Sequence, residues 1–129
     1  LRAKAGREVA RIGEASRGIG VLFGTVVENP GPGKPFFNAA LLFEDGRLLA
    51  TARKRLLPSY DVFDEERYFG PGDCACTVGF RGVRLGLSVC EDIWNLPGYL
   101  PRPLYRCDPV AELAAGGAEV LVNISASPY

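Results

Sequence analysis

Two turn signals constrain this chain more than anything else in it. The apolar runs 36–43 and 47–53 flank Glu44-Asp45-Gly46, and an Asp-Gly pair between such runs predicts a tight hairpin. The runs 76–80 and 83–89 flank Arg81-Gly82 and predict a second hairpin. Before them, Leu1, Ala5, Val9, Ile12 and Ala15 recur at helical spacing among Lys4, Arg7, Glu8, Arg11 and Glu14, an amphipathic helix that Arg17 and Gly18 end. Residues 20–27 are expected to form a buried strand and 28–35, rich in Pro and Gly, an exposed loop. Residues 56–72 and 96–109 read as Pro-containing connections. Residues 110–118 suggest a short helix interrupted by Gly116-Gly117, and 119–124 a final strand. Helices leading into buried strands, with hairpins between, predict an α/β or α+β layered domain.

Composition narrows the chemistry that such a domain can carry. The 129 residues are 47% hydrophobic and carry 15 basic and 15 acidic side chains, which suits one soluble globular domain with a real core. There is no basic excess for nucleic acid and no apolar run of the roughly 18 residues that span a membrane. No signal peptide is evident, so the expected compartment is the reducing cytoplasm, with Cys74, Cys76 and Cys107 as packing or surface thiols. The cysteines lack C-x-x-C spacing and the chain has no histidine, so no metal site is expected. The same absence excludes a Cys-His dyad or a Ser-His-Asp triad. Any nucleophile here needs a carboxylate or lysine as its partner, or a base from outside these residues. The chain has no initiator methionine and stops at Tyr129 just after a strand-like run, the pattern of a fragment.

Cys90 is the first candidate for chemistry. The apolar β-type segment before it ends abruptly at Cys90-Glu91-Asp92-Ile93-Trp94. A strand end holds its last side chain rigidly, and N–H groups freed at the turn can face an oxyanion beside the sulfur. The alternative is a buried structural cysteine, because free Cys packs as a small hydrophobe. Two glycine motifs are set aside. Gly31-Pro32-Gly33-Lys34-Pro35 lacks the first glycine and the terminal hydroxyl residue of a phosphate loop, and Gly18, Gly20 and Gly24 miss the dinucleotide pattern.

The segment 54–69 places Lys54 at a strand end, followed by Tyr60 and Phe63 among acids. Lys54 is either a functional ammonium or a solvated member of the run Arg53-Lys54-Arg55. Asp64, Glu65 and Glu66 would on the plainer reading solvate a loop that pairs with Arg67.

Together these segments resemble the glutaminase domain of glutamine-dependent NAD synthetases, a branch of the nitrilase or carbon–nitrogen hydrolase superfamily. The resemblance covers nearly the whole chain. It is carried by Lys54-x-x-Leu57-Pro58-x-Tyr60-x-Val62-Phe63-Asp64-Glu65-x-Arg67-Tyr68-Phe69, by Cys90-Glu91-Asp92-Ile93-Trp94 and by Asn123-Ile124-Ser125-Ala126-Ser127-Pro128. It implies a nitrilase-like αββα sandwich, with residues 1–129 as part of one such domain whose N-terminal and C-terminal parts lie outside. It also implies a Glu-Lys-Cys triad: Cys90 as nucleophile and Lys54 as its electrostatic partner, with the general-base glutamate in a strand preceding Leu1, where no residue here matches it.

By the same resemblance Glu65 stands where the family often carries a second acid, Ser127 where it binds the glutamine head group, and Tyr60 and Phe63 look like pocket walls; ordinary loop packing is the alternative for both aromatics. The implied activity is glutamine amide hydrolysis through a Cys90 thioester. The ammonia would feed a separate ligase domain, absent here, that uses ATP and magnesium to amidate deamido-NAD in NAD biosynthesis. No cofactor is implied for these residues themselves, a homo-oligomer is implied, and the isolated piece is expected to be inactive and, through exposed sheet edges, aggregation-prone. A stand-alone amidase on another carboxamide and a non-catalytic scaffold of the same fold remain the alternatives. A synthetase sequence after Tyr129 would argue against the first, and a glutamate in the strand upstream of Leu1 against the second.

Overall fold

The computed structural model describes residues 2–95, 98 and 101–126. Helix α1 (Arg2–Ala15) is followed by the strands β1 (Gly20–Glu28), β2 (Phe36–Glu44) and β3 (Arg47–Arg53), then β4 (Cys76–Phe80) and β5 (Val83–Val89), helix α2 (Pro109–Ala115) and strand β6 (Val120–Ile124). The strands form two three-stranded sheets, β1-β2-β3 and β4-β5-β6. The first is antiparallel throughout; in the second, β6 lies parallel to β5, with α2 in the crossover.

Both turn signals act as expected. Asp45 and Gly46, with φ of 49° and 78°, and Arg81 and Gly82, with φ of 48° and 84°, occupy the left-handed region that a two-residue hairpin with the right strand twist requires. Asp45 also accepts the Gly18 N–H at 2.7 Å through Oδ1, which fixes the α1–β1 connection against the first hairpin.

Period-two alternation sorts the strands into layers. Ala40, Leu42, Ala52, Leu87 and Val89 form the core between the sheets, joined by half-buried Leu22, Val122 and Ile124. On the outer faces, Phe43 lies under Gly13 of α1, and Gly86 lies under Leu113 of α2. The order is therefore helix, sheet, sheet, helix. Strand β1 departs from expectation: its residues are exposed or half-buried rather than buried, because it is an edge strand with β2 alone beside it. The helix expected over 110–118 starts at Pro109, capped by Asp108 Oδ1 accepting the Ala111 N–H at 3.0 Å. It ends before Gly116-Gly117 rather than continuing through them, and Gly117 has a φ of 79°. The connection 56–72 contains a 3-10 turn, Glu65–Arg67.

The hairpin tips gather at one end of the molecule, where Arg81 reaches Glu44 Oε1 at 2.7 Å and the Gly18 carbonyl at 2.9 Å. The opposite end receives the C-terminal ends of β3 and β5, and so Lys54 and Cys90. No helix among the described residues is long and apolar enough to cross a membrane.

Candidate active site

Cys90 follows β5 directly and opens a 3-10 turn, Cys90–Ile93. Its φ of 49° is uncommon for a residue with a Cβ and costs on the order of 1–3 kcal/mol, which the surrounding contacts must hold. The chain turns sharply there, and the thiol, half-buried and free, faces a cavity of about 250 Å³. Tyr60, Phe63, Glu65, Glu91 and Trp94 line the same cavity.

Lys54 is 1% exposed, which overturns the reading of it as a solvated member of a basic run. Its backbone is tied on both sides: its N–H donates to the Asn38 carbonyl and its carbonyl accepts the Gly72 N–H, each at 2.8 Å. A buried ammonium needs a partner. Glu65, which opens the 3-10 turn of the connection, supplies it, with Oε1 2.6 Å from Nζ. Glu65 thus does more than solvate a loop; Arg67 instead pairs with Asp64 at 3.9 Å on the exposed side. The second oxygen, Glu65 Oε2, is shielded from solvent with no hydrogen-bond partner among the described residues. Lys54 is not itself among the lining residues, but its partner Glu65 is, so the pair reaches the cavity wall.

Glu91 is 6% exposed, and two hydroxyls satisfy its carboxylate. Tyr60 donates to it at 2.9 Å and Tyr105 at 3.0 Å. Burial, with the hydrogen bond to Glu91 and its charge, pushes the Tyr60 hydroxyl up to about 12. The same causes raise Tyr105, so both phenols are held as donors. Tyr60 and Phe63 meet edge to face with centroids 5.9 Å apart and form the half-exposed rim of the cavity. Asp92 is buried as well and accepts three backbone N–H groups, those of Arg55, Leu56 and Val89. Burial raises its carboxyl, while these three donors and the Lys54 ammonium pull it back.

The structure thus brings Cys90, Glu65, Tyr60 and Phe63 to one cavity, with Lys54 paired to Glu65. Ser127 lies outside the described residues. Tyr105 was not singled out in sequence. It sits in a Pro-rich connection and owes its place to Asn95, whose side-chain nitrogen donates to the Tyr105 and Cys107 carbonyls at 3.1 and 2.8 Å. A larger cleft of about 540 Å³ between α1 and the first sheet is lined mainly by apolar side chains such as Val9, Leu41 and Phe69. Unlike the smaller cavity, it is lined by no cysteine. Among the described residues no group of three or more Cys, Asp or Glu side chains is arranged to hold a metal ion.

Comparison with known proteins shows the family. The carbon–nitrogen hydrolase family profile matches residues 3–129. Glutamine-dependent NAD(+) synthetases from Synechocystis and Thermotoga maritima are 38% and 39% identical over 116 and 113 residues, 86% and 87% of this chain. The chain spans about a fifth of the length of these relatives, 21% and 17%. Among solved structures, the glutamine-dependent NAD+ synthetase from Acinetobacter baumannii superposes with a TM-score of 0.83 at 29% identity, over 100% of this chain and 22% of its own. An amidase of the nitrilase superfamily from Nesterenkonia superposes with a TM-score of 0.73 at 23% identity, over 95% of this chain and 42% of its own, a likeness of fold.

Proposed function

Because the chain belongs to the carbon–nitrogen hydrolase family, we propose that it carries the glutamine-hydrolysing site of an NAD synthetase, with Cys90 as nucleophile and Lys54 as the cation beside it. The observation that carries the reading is the convergence of two strand ends: a free thiol on a strained turn and a buried Lys54–Glu65 pair at one end of the sandwich. The relatives' names supply the substrate.

In this reading the Cys90 thiolate attacks the side-chain amide carbon of glutamine. The oxyanion is met by the Lys54 ammonium and by the N–H of Glu91, since the first N–H groups of a short helical turn have no acceptor within it. The C–N bond breaks, the nitrogen takes a proton and leaves as ammonia, and the acyl group stays on sulfur. Water then adds to the thioester, a proton leaves that water, and glutamate departs with the thiol restored. The carboxylate that moves these protons is the glutamate the family carries before the first helix; Glu65 holds Lys54 in place. Glu91, held in the cavity wall by the hydroxyls of two tyrosines, suits the α-ammonium of glutamine, and Ser127 is a candidate for its head group. Ammonia would pass to an ATP- and magnesium-dependent site that amidates deamido-NAD, in a cytoplasmic homo-oligomer.

The test is covalent labelling of the full protein with a glutamine-like electrophile, followed by peptide mapping. Label is expected on Cys90, and free glutamine should protect it. Cys76 should lag, because burial raises its thiol. Preferential labelling of Cys74, Cys76 or Cys107 would remove Cys90 from the mechanism.

A further inference from the structure

Asp92 has no part in the chemistry just described, yet it is 3% exposed and lies where the two functional strand ends meet. Its Oδ1 accepts the N–H groups of Arg55 and Leu56, the two residues after Lys54, both at 2.9 Å. Its Oδ2 accepts the N–H of Val89, the residue before Cys90, at 3.0 Å. We propose that Asp92 is a positioning residue that sets the Lys54 ammonium against the Cys90 sulfur by clamping the ends of β3 and β5 together. The inference rests on the reading of those two residues as the reacting pair.

The need for a clamp follows from the topology. Strands β3 and β5 belong to different sheets, so no ladder hydrogen bond fixes one against the other. What joins them is apolar packing of Ala52 against Leu87 and Val89, which is non-directional and tolerates sliding. Charge-assisted hydrogen bonds are directional and stronger than neutral ones. A carboxylate also suits the task better than any other side chain of its size. Both its oxygens accept, so it can serve N–H donors on two sides at once, whereas an amide offers one oxygen and turns an NH₂ against the other donor. Asp92→Asn therefore keeps the volume and forfeits one side of the clamp.

The experiment uses the full protein and reads glutamine hydrolysis, alkylation of Cys90 by iodoacetamide at neutral pH, and thermal melting. For Asp92→Asn, kcat is expected to fall about 100-fold, the effect of misplacing a reacting group by about 1 Å, while KM changes less than about threefold. Alkylation of Cys90 should slow with kcat. Asp92→Glu keeps the charge on a longer arm and should restore neither rate; full rescue would reduce Asp92 to an electrostatic neighbour of Lys54 and overturn the clamp. A folded Asp92→Asn with unchanged kcat and alkylation would overturn it too. Alkylation needs no glutamine, so a wild-type protein without glutaminase activity would sink the functional reading and leave the clamp measurable. Should neither variant fold, hydrogen exchange on the wild type decides. The Leu56 and Val89 amides should open in one event and exchange at matching protection, and protection differing by more than about tenfold would overturn the proposal.

Discussion

At Lys54 a positive charge sits 1% exposed with one carboxylate oxygen 2.6 Å away. Such a pair adds little net stability, because desolvating both ions offsets most of their attraction. The ammonium is a compact point donor, whereas a guanidinium is a planar fork. Lys54→Arg keeps the charge and should still lower kcat for glutamine about 10²–10³-fold, as loss of an oxyanion donor does. Steady-state kinetics with a melting curve checks this, and near-normal hydrolysis would make Lys54 a structural cation only. Legibility differed sharply among these residues. Cys90 stood out because a strong apolar strand stops at it. The burial of Lys54 did not, since a lysine between Arg53 and Arg55 carries no periodic signal of which way it points. Its partner Glu65 and the Glu91–Tyr105 contact depend on how irregular connections fold back, which neither hydrophobic period nor turn chemistry encodes.

Strand β6, the turn before it and helix α2 all close on β5 at residue 86, which has no side chain. A Cβ there would lie 2.7 Å from Leu121 Cδ2, 2.9 Å from Ala118 Cβ and 3.3 Å from Leu113 Cβ. Leu113 is 1% exposed and anchors the helix, and Arg55 pairs with Glu112 on the same helix, so a displaced α2 pulls on the chain just after Lys54. Gly86→Ala should therefore destabilise the fold by about 1–3 kcal/mol through overpacking. The shift in urea midpoint at unchanged m-value measures it; a midpoint as in the wild type would mean that α2 slides freely on the sheet. Elements were legible in sequence where local chemistry decides them: the two hairpins from Asp45-Gly46 and Arg81-Gly82, and helix α1 from its apolar periodicity. Layer position was less so. The apolar content of 20–27 identifies a strand but cannot tell an edge strand from a central one, because that depends on which strands pair beside it.

On the scale of the whole protein the proposed division of labour makes the sharpest demand. The relatives are about five times as long as this chain, which accounts for 21% of the Synechocystis protein. If these residues generate ammonia and another site consumes it, the two chemistries must be separable by nitrogen source. Cys90→Ala removes the sulfur on which the thioester forms, so NAD synthesis from glutamine should be lost in the full protein. Synthesis from added ammonium salt should persist within about twofold, because adenylation and amidation elsewhere need ATP, magnesium, deamido-NAD and free ammonia but no thiol at this site. Alanine is smaller than cysteine and fits the turn as well, so the fold should hold. Each assay outcome carries a distinct meaning. Retained glutamine-dependent synthesis would exclude Cys90 as nucleophile, and glutamine hydrolysis in a wild-type protein with no NAD formation from either nitrogen source would favour a stand-alone amidase over a synthetase. Loss of both activities in the variant alone would mean that the substitution damages the fold or the coupling between the sites, because a thiol needed only for ammonia release cannot be missed once ammonia is supplied.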